Sequence, residues 1–230
     1  MTASAVIVAA GKGERFGDSG KVLANLLDRP VLAWTLDAFE KAASISEIVV
    51  VVGEHTRAPI VEMMYTGSWR KISEVVVGGD TRQASTANGV RAVEHHAEII
   101  VVHDAARPLI LSTQIEQCIQ AAKDHGGAIL ASPLTDTVKR VQDGIIAETI
   151  DRSTLWGAQT PQVFRADLMR QMIEFSQTTT GPVTDEASLA EGLCKPVHIV
   201  AGDSINLKIT HPSDLLIAEA LLRARKEAES

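Results

Sequence analysis

Cysteine is nearly absent. The 230-residue chain has two, Cys118 and Cys194, far apart in sequence. Two such residues build no disulfide framework and lack the spacing of a zinc site. They read as buried thiols in a protein of the reducing cytoplasm. Basic excess is absent as well. Lys and Arg total 22 against 29 Asp and Glu, a formal net charge of −7, whereas a nucleic-acid-binding face is normally basic. No apolar run is long enough to span a bilayer. The first residues lack the basic start of a secretory signal, and their apolar stretch runs straight into glycines. Nucleic acid and membrane are therefore not expected as partners. Internal repeats and low-complexity tracts are also missing.

What is present is ordinary globular composition, 45% hydrophobic and 22% charged. That is enough for a full core, and residues 1–230 read as a single domain. Continuous apolar runs at 4–10, 47–53, 73–79, 98–104 and 126–132 predict strands buried on both faces. Stretches 30–42, 81–96 and 112–125 predict helices between them, with Pro30 and Ser112 as starts. This alternation predicts an α/β fold with a doubly wound, mostly parallel sheet. After Pro133 the pattern changes. Residues 136–152 alternate in polarity around Asp143-Gly144, a hairpin signal, with too few apolar positions for a core. They predict a projecting β-hairpin arm within 133–156. Helices near 166–176 and 184–193, strands near 197–201 and 206–210, and a last helix from Pro212 complete the reading. Leu215, Leu216, Ala218, Leu221 and Leu222 form the apolar face of that last helix.

The chemistry is concentrated at strand ends, where open α/β sheets bind ligands. The stretch "VAAGKGERFGDSGK" (8–21) follows the first strand. Gly11, Gly13 and Gly17 are spaced one residue too widely for a dinucleotide fingerprint, and no acid follows at the ribose position. Nor is this a P-loop, because Arg15 takes the first glycine position and Val22 replaces the magnesium-binding hydroxyl. The remaining reading is a loop that wraps a nucleoside triphosphate. The N–H groups of Ala10 to Gly13 would cradle phosphate, and Arg15 and Lys21 would supply cations. Asp104, at the end of a buried strand, is the candidate magnesium ligand, while His103 beside it reads as structural. Trp156 reads as a packing residue rather than a base stack.

Seven motifs, "VAAGKGERFG…GK", "GGDTRQAS", "VHDAARP", "DTVKR", "DRSTLWGAQTPQVF", "TDEAS" and "NLKIT", occur in that order over almost the whole chain. Together they resemble the 2-C-methyl-D-erythritol 4-phosphate cytidylyltransferases of the non-mevalonate isoprenoid pathway. The ribitol-5-phosphate cytidylyltransferases share the His-Asp-Ala-x-Arg-Pro and Gln-Thr-Pro-Gln motifs, but "DRSTLW" and "TDEAS" match the methylerythritol family better. A nucleotide-binding protein of this fold without turnover is the reading of another class. Val8 stands where the family usually has Pro, Gly20-Lys21-Val22 replaces Pro-Lys-Gln, and Ile205 replaces an acid before Asn-x-Lys.

The resemblance implies a Rossmann-like nucleotidyltransferase that uses CTP and Mg²⁺ and works as a cytoplasmic homodimer. It implies that Arg15, Lys21, Arg152 and Lys208 are catalytic. CTP would be held by Ala9, Ala10, Gly11, Lys12, Gly13, Gly79, Asp80, Ser85 and Asp104, with Asp104 also on the metal. The acceptor would meet Ala105, Arg107, Thr137, Arg152, Thr184 and Lys208. The hairpin arm would embrace a second subunit, so that Arg152 serves the neighbouring site.

Overall fold

The computed structural model describes residues 2–11, 13, 16, 20–179 and 183–228. Its strands are β1 (Ala3–Ala9), β2 (Asn25–Leu26), β3 (Arg29–Pro30), β4 (Ile45–Val52), β5 (Ile72–Val77), β6 (Ile99–Asp104), β7 (Gly127–Pro133), β8 (Val138–Gln142), β9 (Ile145–Ile150), β10 (Trp156–Arg165) and β11 (His198–Ala201). Its helices are α1 (Val31–Lys41), α2 (Glu54–Thr66), α3 (Arg82–Ala92), α4 (Ser112–His125), α5 (Ala166–Ser176), α6 (Glu186–Gly192) and α7 (Pro212–Ala228). Seven strands form one sheet in the order β11-β7-β10-β6-β1-β4-β5. All neighbours are parallel except β10, which runs antiparallel to both β6 and β7.

The valine and isoleucine runs are buried because both faces of the sheet are covered. Alternate side chains go to opposite cores, as strand geometry requires. Ile7, Val50 and Val101 meet Leu36 and Phe39 of α1, Ile60 of α2 and Ile115 of α4. Their neighbours Val6, Val51 and Val102 meet Val90 of α3, Met169 of α5 and Leu189 of α6. α7 closes a third, smaller cluster in which Ala218 and Leu222 pack with Leu26, Leu109 and Ile209. The doubly wound, mostly parallel α/β fold expected from the sequence is the one observed.

Several expectations need correction. Residues 206–210 form no strand; Ile209 N–H is taken instead by the Ala106 carbonyl at 2.7 Å. α2 is unannounced in the sequence: it contains Pro59 and buries only Thr56 and Ile60. Leu216, expected on the apolar face of α7, is 71% exposed. Cys118 is buried, with its thiol pushed up to about 12 by desolvation, but Cys194 is exposed. Trp156, expected to pack, is 41% exposed in this chain.

The hairpin at 136–152 appears as β8 and β9, a ribbon separate from the main sheet. Asp143 and Gly144 at its tip have φ of 50° and 79°, the left-handed pair that a two-residue hairpin turn demands. Val141, Ile145 and Ile146 on the ribbon are exposed.

Burial sets the cost of truncation. Phe39→Ala, at a fully buried ring, should lower the unfolding free energy by about 3–5 kcal/mol. Tyr65→Ala, at an exposed ring, should change it by less than about 0.5 kcal/mol. Urea denaturation of the two variants checks the contrast.

Candidate active site

The chain turns at β1. From there it adds β4 and β5 on one side and β6 on the other, and the crevice at such a reversal is the usual ligand position. A cleft of about 530 Å³ opens there, over the ends of β1, β5 and β6. Its floor and first wall come from Ala9, Ala10, Gly11 and Gly13, with Lys21 and Val22 beyond. The second wall is the β5–α3 turn, Gly79 to Arg82, with Ser85. The third is Asp104 and Ala106 at the end of β6, faced by Lys208 and Thr210.

The β5–α3 turn is tight for a sterical reason. A Cβ on Gly78 would lie 2.5 Å from Ala10 Cβ and 2.6 Å from Ser85 Oγ, so only glycine lets β1 and α3 approach this closely. Ser85 Oγ accepts from Gly79 N–H at 3.1 Å and donates to Thr81 O at 2.9 Å. Thr81 caps α3 by accepting from Ala84 N–H at 3.0 Å. Asp80 is left exposed at the cleft rim.

Asp104 is 7% exposed. A buried carboxylate needs partners, and three cations supply them. Lys208 Nζ lies 2.7 Å from Oδ2, Arg82 Nε 3.4 Å from Oδ1, and Arg107 Nε 3.9 Å from Oδ2. Burial alone would raise the Asp104 carboxyl, but Lys208, Arg82 and Arg107 together hold it well below the usual carboxylate range. Behind it, His103 is fully buried, and desolvation lowers it to about 3. It is therefore neutral. Thr160 Oγ1 accepts from Asp104 N–H and so donates its own proton to His103 Nδ1, both at 3.1 Å. His103 Nε2–H is then the donor to Arg107 O at 3.3 Å. His103 is structural, in the sense that it fixes the backbone under Asp104.

The loop that carries Lys208 is also built from buried polar contacts. Asn206, 1% exposed, donates to Gln159 Oε1 and Thr160 O, both at 3.0 Å. Its carbonyl accepts from Arg107 Nη1 at 2.7 Å.

The cleft therefore gathers Ala9, Ala10, Gly11, Gly13, Lys21, Gly79, Asp80, Ser85, Asp104 and Lys208 from segments far apart in sequence. Lys12 and Arg15 lie outside the described residues. Ala105 and Arg107 do not line it. Ala105 is fully buried, with its carbonyl taken by Thr35 Oγ1 at 2.9 Å, and Arg107 points inward to Asp104 and Asn206. Thr137 and Arg152 belong to the arm region, where Arg152 donates to Thr135 O and stays exposed. Thr184 lies beside a small adjoining cavity that Arg82 and Glu186 also line. Arg82 was not singled out from the sequence. Its presence in "GGDTR", one of the strand-end motifs, was the available signal.

Comparison with known proteins identifies the family and agrees with the fold. Residues 3–224 match the family model described as IspD, 2-C-methyl-D-erythritol 4-phosphate cytidylyltransferase. A protein of that name from Thermosynechococcus vestitus is 42% identical over 97% of both chains. One from Bacillus pumilus is 39% identical over 96% of this chain and 97% of its own. The crystal structure of a 4-diphosphocytidyl-2C-methyl-D-erythritol synthase from Anaerococcus prevotii superposes with a TM-score of 0.86, at 30% identity and 96% coverage of each chain. That of the Thermus thermophilus cytidylyltransferase gives 0.80, at 31% identity, over 97% of this chain and 100% of that one. With its strand-end cleft, its cations and near full-length similarity at this level, the chain belongs to the 2-C-methyl-D-erythritol 4-phosphate cytidylyltransferase family.

Proposed function

We propose that the cleft over β1, β5 and β6 is where this enzyme brings its two substrates together. As a member of its family, the chain transfers the cytidylyl group of CTP to 2-C-methyl-D-erythritol 4-phosphate and releases pyrophosphate, a step in isoprenoid precursor synthesis. The observation that carries the site reading is the convergence of Lys21, Asp80, Asp104 and Lys208 on one cleft.

The nucleophile is an oxygen of the acceptor phosphate. Its second pKa is about 6, so it is largely dianionic at neutral pH and requires no general base. It attacks the α-phosphorus of CTP; the bond to the bridging oxygen breaks, and pyrophosphate departs with the electron pair. The obstacle is mutual repulsion of two polyanions, so positioning and cationic stabilisation must do the catalysis. Backbone N–H groups of residues 10–13 meet the triphosphate. Lys21, with Arg15, stabilises charge that grows at the α-phosphate. The turn at Gly79-Asp80, with Ser85 holding its backbone, receives cytosine and ribose. Lys208 leaves Asp104 to hold the acceptor phosphate.

The donor chemistry also fits a magnesium ion. No group of three His, Cys, Asp or Glu side chains gathers among the described residues, but Mg²⁺ commonly binds through one or two carboxylates plus substrate phosphates. The ionised Asp104 would provide that carboxylate. When bound, the ion supplies charge neutralisation for the triphosphate.

Arg152 and Thr137 are read as serving the acceptor in a partner subunit, with the 133–156 arm as the dimer contact. The exposed Val141, Ile145, Ile146 and Trp156 support this, since an isolated ribbon is marginal in water and two-fold dimers are the commonest assembly. The cytoplasm is the proposed location; no described helix is long and apolar enough to cross a membrane.

Pyrophosphate release with CTP and a panel of sugar-alcohol phosphates tests the activity. Methylerythritol phosphate should be the preferred acceptor, and CTP should outperform ATP and GTP. Comparable turnover with a purine triphosphate would remove the β5–α3 turn from base recognition. Lys21→Ala should lower kcat by about 10²–10³, more than it raises KM for CTP, and an unchanged kcat assigns Lys21 to the surface. Mixing Arg152→Ala with Lys21→Ala chains tests the arm. Each homodimer should be nearly inactive, and the mixed dimer should regain one working site. No recovery, with subunit exchange verified by mass, means Arg152 does not act across the dimer.

A further inference from the structure

Asp104 is held from two sides by donors of different character. Lys208, on an irregular loop, takes Oδ2. Arg82, the first residue of α3, takes Oδ1 through Nε. The rest of the Arg82 guanidinium is already committed: Nη1 and Nη2 donate to Oε1 and Oε2 of Glu186 at 2.7 and 3.0 Å. This is the bidentate fork that an ammonium cannot reproduce.

Glu186 itself is fixed. It is 2% exposed, and its Oε1 also accepts from Thr86 Oγ1 at 3.2 Å. The start of α6, which carries it, is strapped to β10 by Gln162. That side chain donates to Asp185 Oδ2 at 2.8 Å and accepts from Ala187 N–H at 2.9 Å. A rigid carboxylate therefore aims Arg82 at Asp104.

We propose that Arg82, aimed by Glu186, is a positioning residue that keeps Asp104 oriented while Lys208 departs for the acceptor phosphate. The inference rests on the cleft reading given above. Without the anchor on Oδ1, only Arg107, its Nε 3.9 Å from Oδ2 and beyond hydrogen-bond distance, would face the carboxylate once Lys208 left. Glu186 also restrains the cation. Arg82 lines the cleft, and 30% of its side chain is exposed. Released from its grip, the fork would close on the triphosphate and strengthen ground-state nucleotide binding, which does not accelerate the chemical step.

Steady-state kinetics on the full-length enzyme separate this role from a purely structural one. Glu186→Gln should lower kcat by about 10–100-fold, the usual effect of losing support for a ligating group, while KM for CTP holds or falls. Arg82→Met leaves Glu186 buried and unpaired, which is destabilising, so the double variant Arg82→Met/Glu186→Gln carries the second comparison. It should be folded by circular dichroism and at least as impaired in kcat as Glu186→Gln. Arg82→Lys should recover part, not all, of the double variant's loss. Wild-type kcat in Glu186→Gln, or in the double variant, overturns the proposal, as does a KM effect on CTP with kcat unchanged. Failure of the underlying activity looks different: the wild-type enzyme itself would release no pyrophosphate from CTP and methylerythritol phosphate.

Discussion

A charge taken out of water at the end of a central strand must be compensated nearby, and Asp104 governs the architecture around it for that reason. Its three cationic neighbours come from α3, from the turn after β6 and from the loop before α7. Each had to be brought in by a separate part of the chain. Buried ion pairs of this kind add little net stability, because desolvation offsets the attraction, yet removing one member is costly. The cluster is better understood as a device that specifies where three loops lie than as a source of stability.

The supporting polar layer follows the same logic. Both ring nitrogens of His103 are hydrogen-bonded, and the Thr160 hydroxyl both accepts and donates; through them the backbone of β6 is bound to β10. Asn206 performs the equivalent task for the Lys208 loop. The antiparallel strand β10 thus supplies Gln159 behind the Lys208 loop, Thr160 behind the end of β6 and Gln162 behind the start of α6. A mainly apolar sheet carries a narrow polar spine directly under its chemistry, where hydrogen-bond geometry rather than packing determines position.

Much of this was legible in the chain itself, and the exceptions have physical causes. Continuous runs such as "EIVVVV" declare a doubly covered strand because nothing else buries both faces, and Asp143-Gly144 declares its turn because few residues tolerate positive φ. α2 was silent because it covers the sheet with only two buried residues and contains a proline. Residues 206–210 alternate like a strand, yet their polar groups are claimed by Ala106 after β6 and by Gln159 and Thr160 of β10, contacts that no local pattern encodes. The same limit applies to the cleft. Asp104 and Lys21 stand out at strand ends, whereas the importance of Arg82 depends on Glu186, far away in sequence, and only the fold brings the two together.

The packing of α7 has a consequence for how the protein is made. Ala218 and Leu222 cover the cluster that contains Ile209, the residue next to Lys208. The ribosome delivers this helix after every strand of the sheet, and domains generally fold during synthesis as segments emerge. A nascent chain can therefore assemble its sheet, and dock the Lys208 loop on Ala106, Gln159 and Thr160, before the helix that covers Ile209 has emerged. The loop of the lysine that faces Asp104 is therefore covered late, by a helix made after all the strands that position its partners.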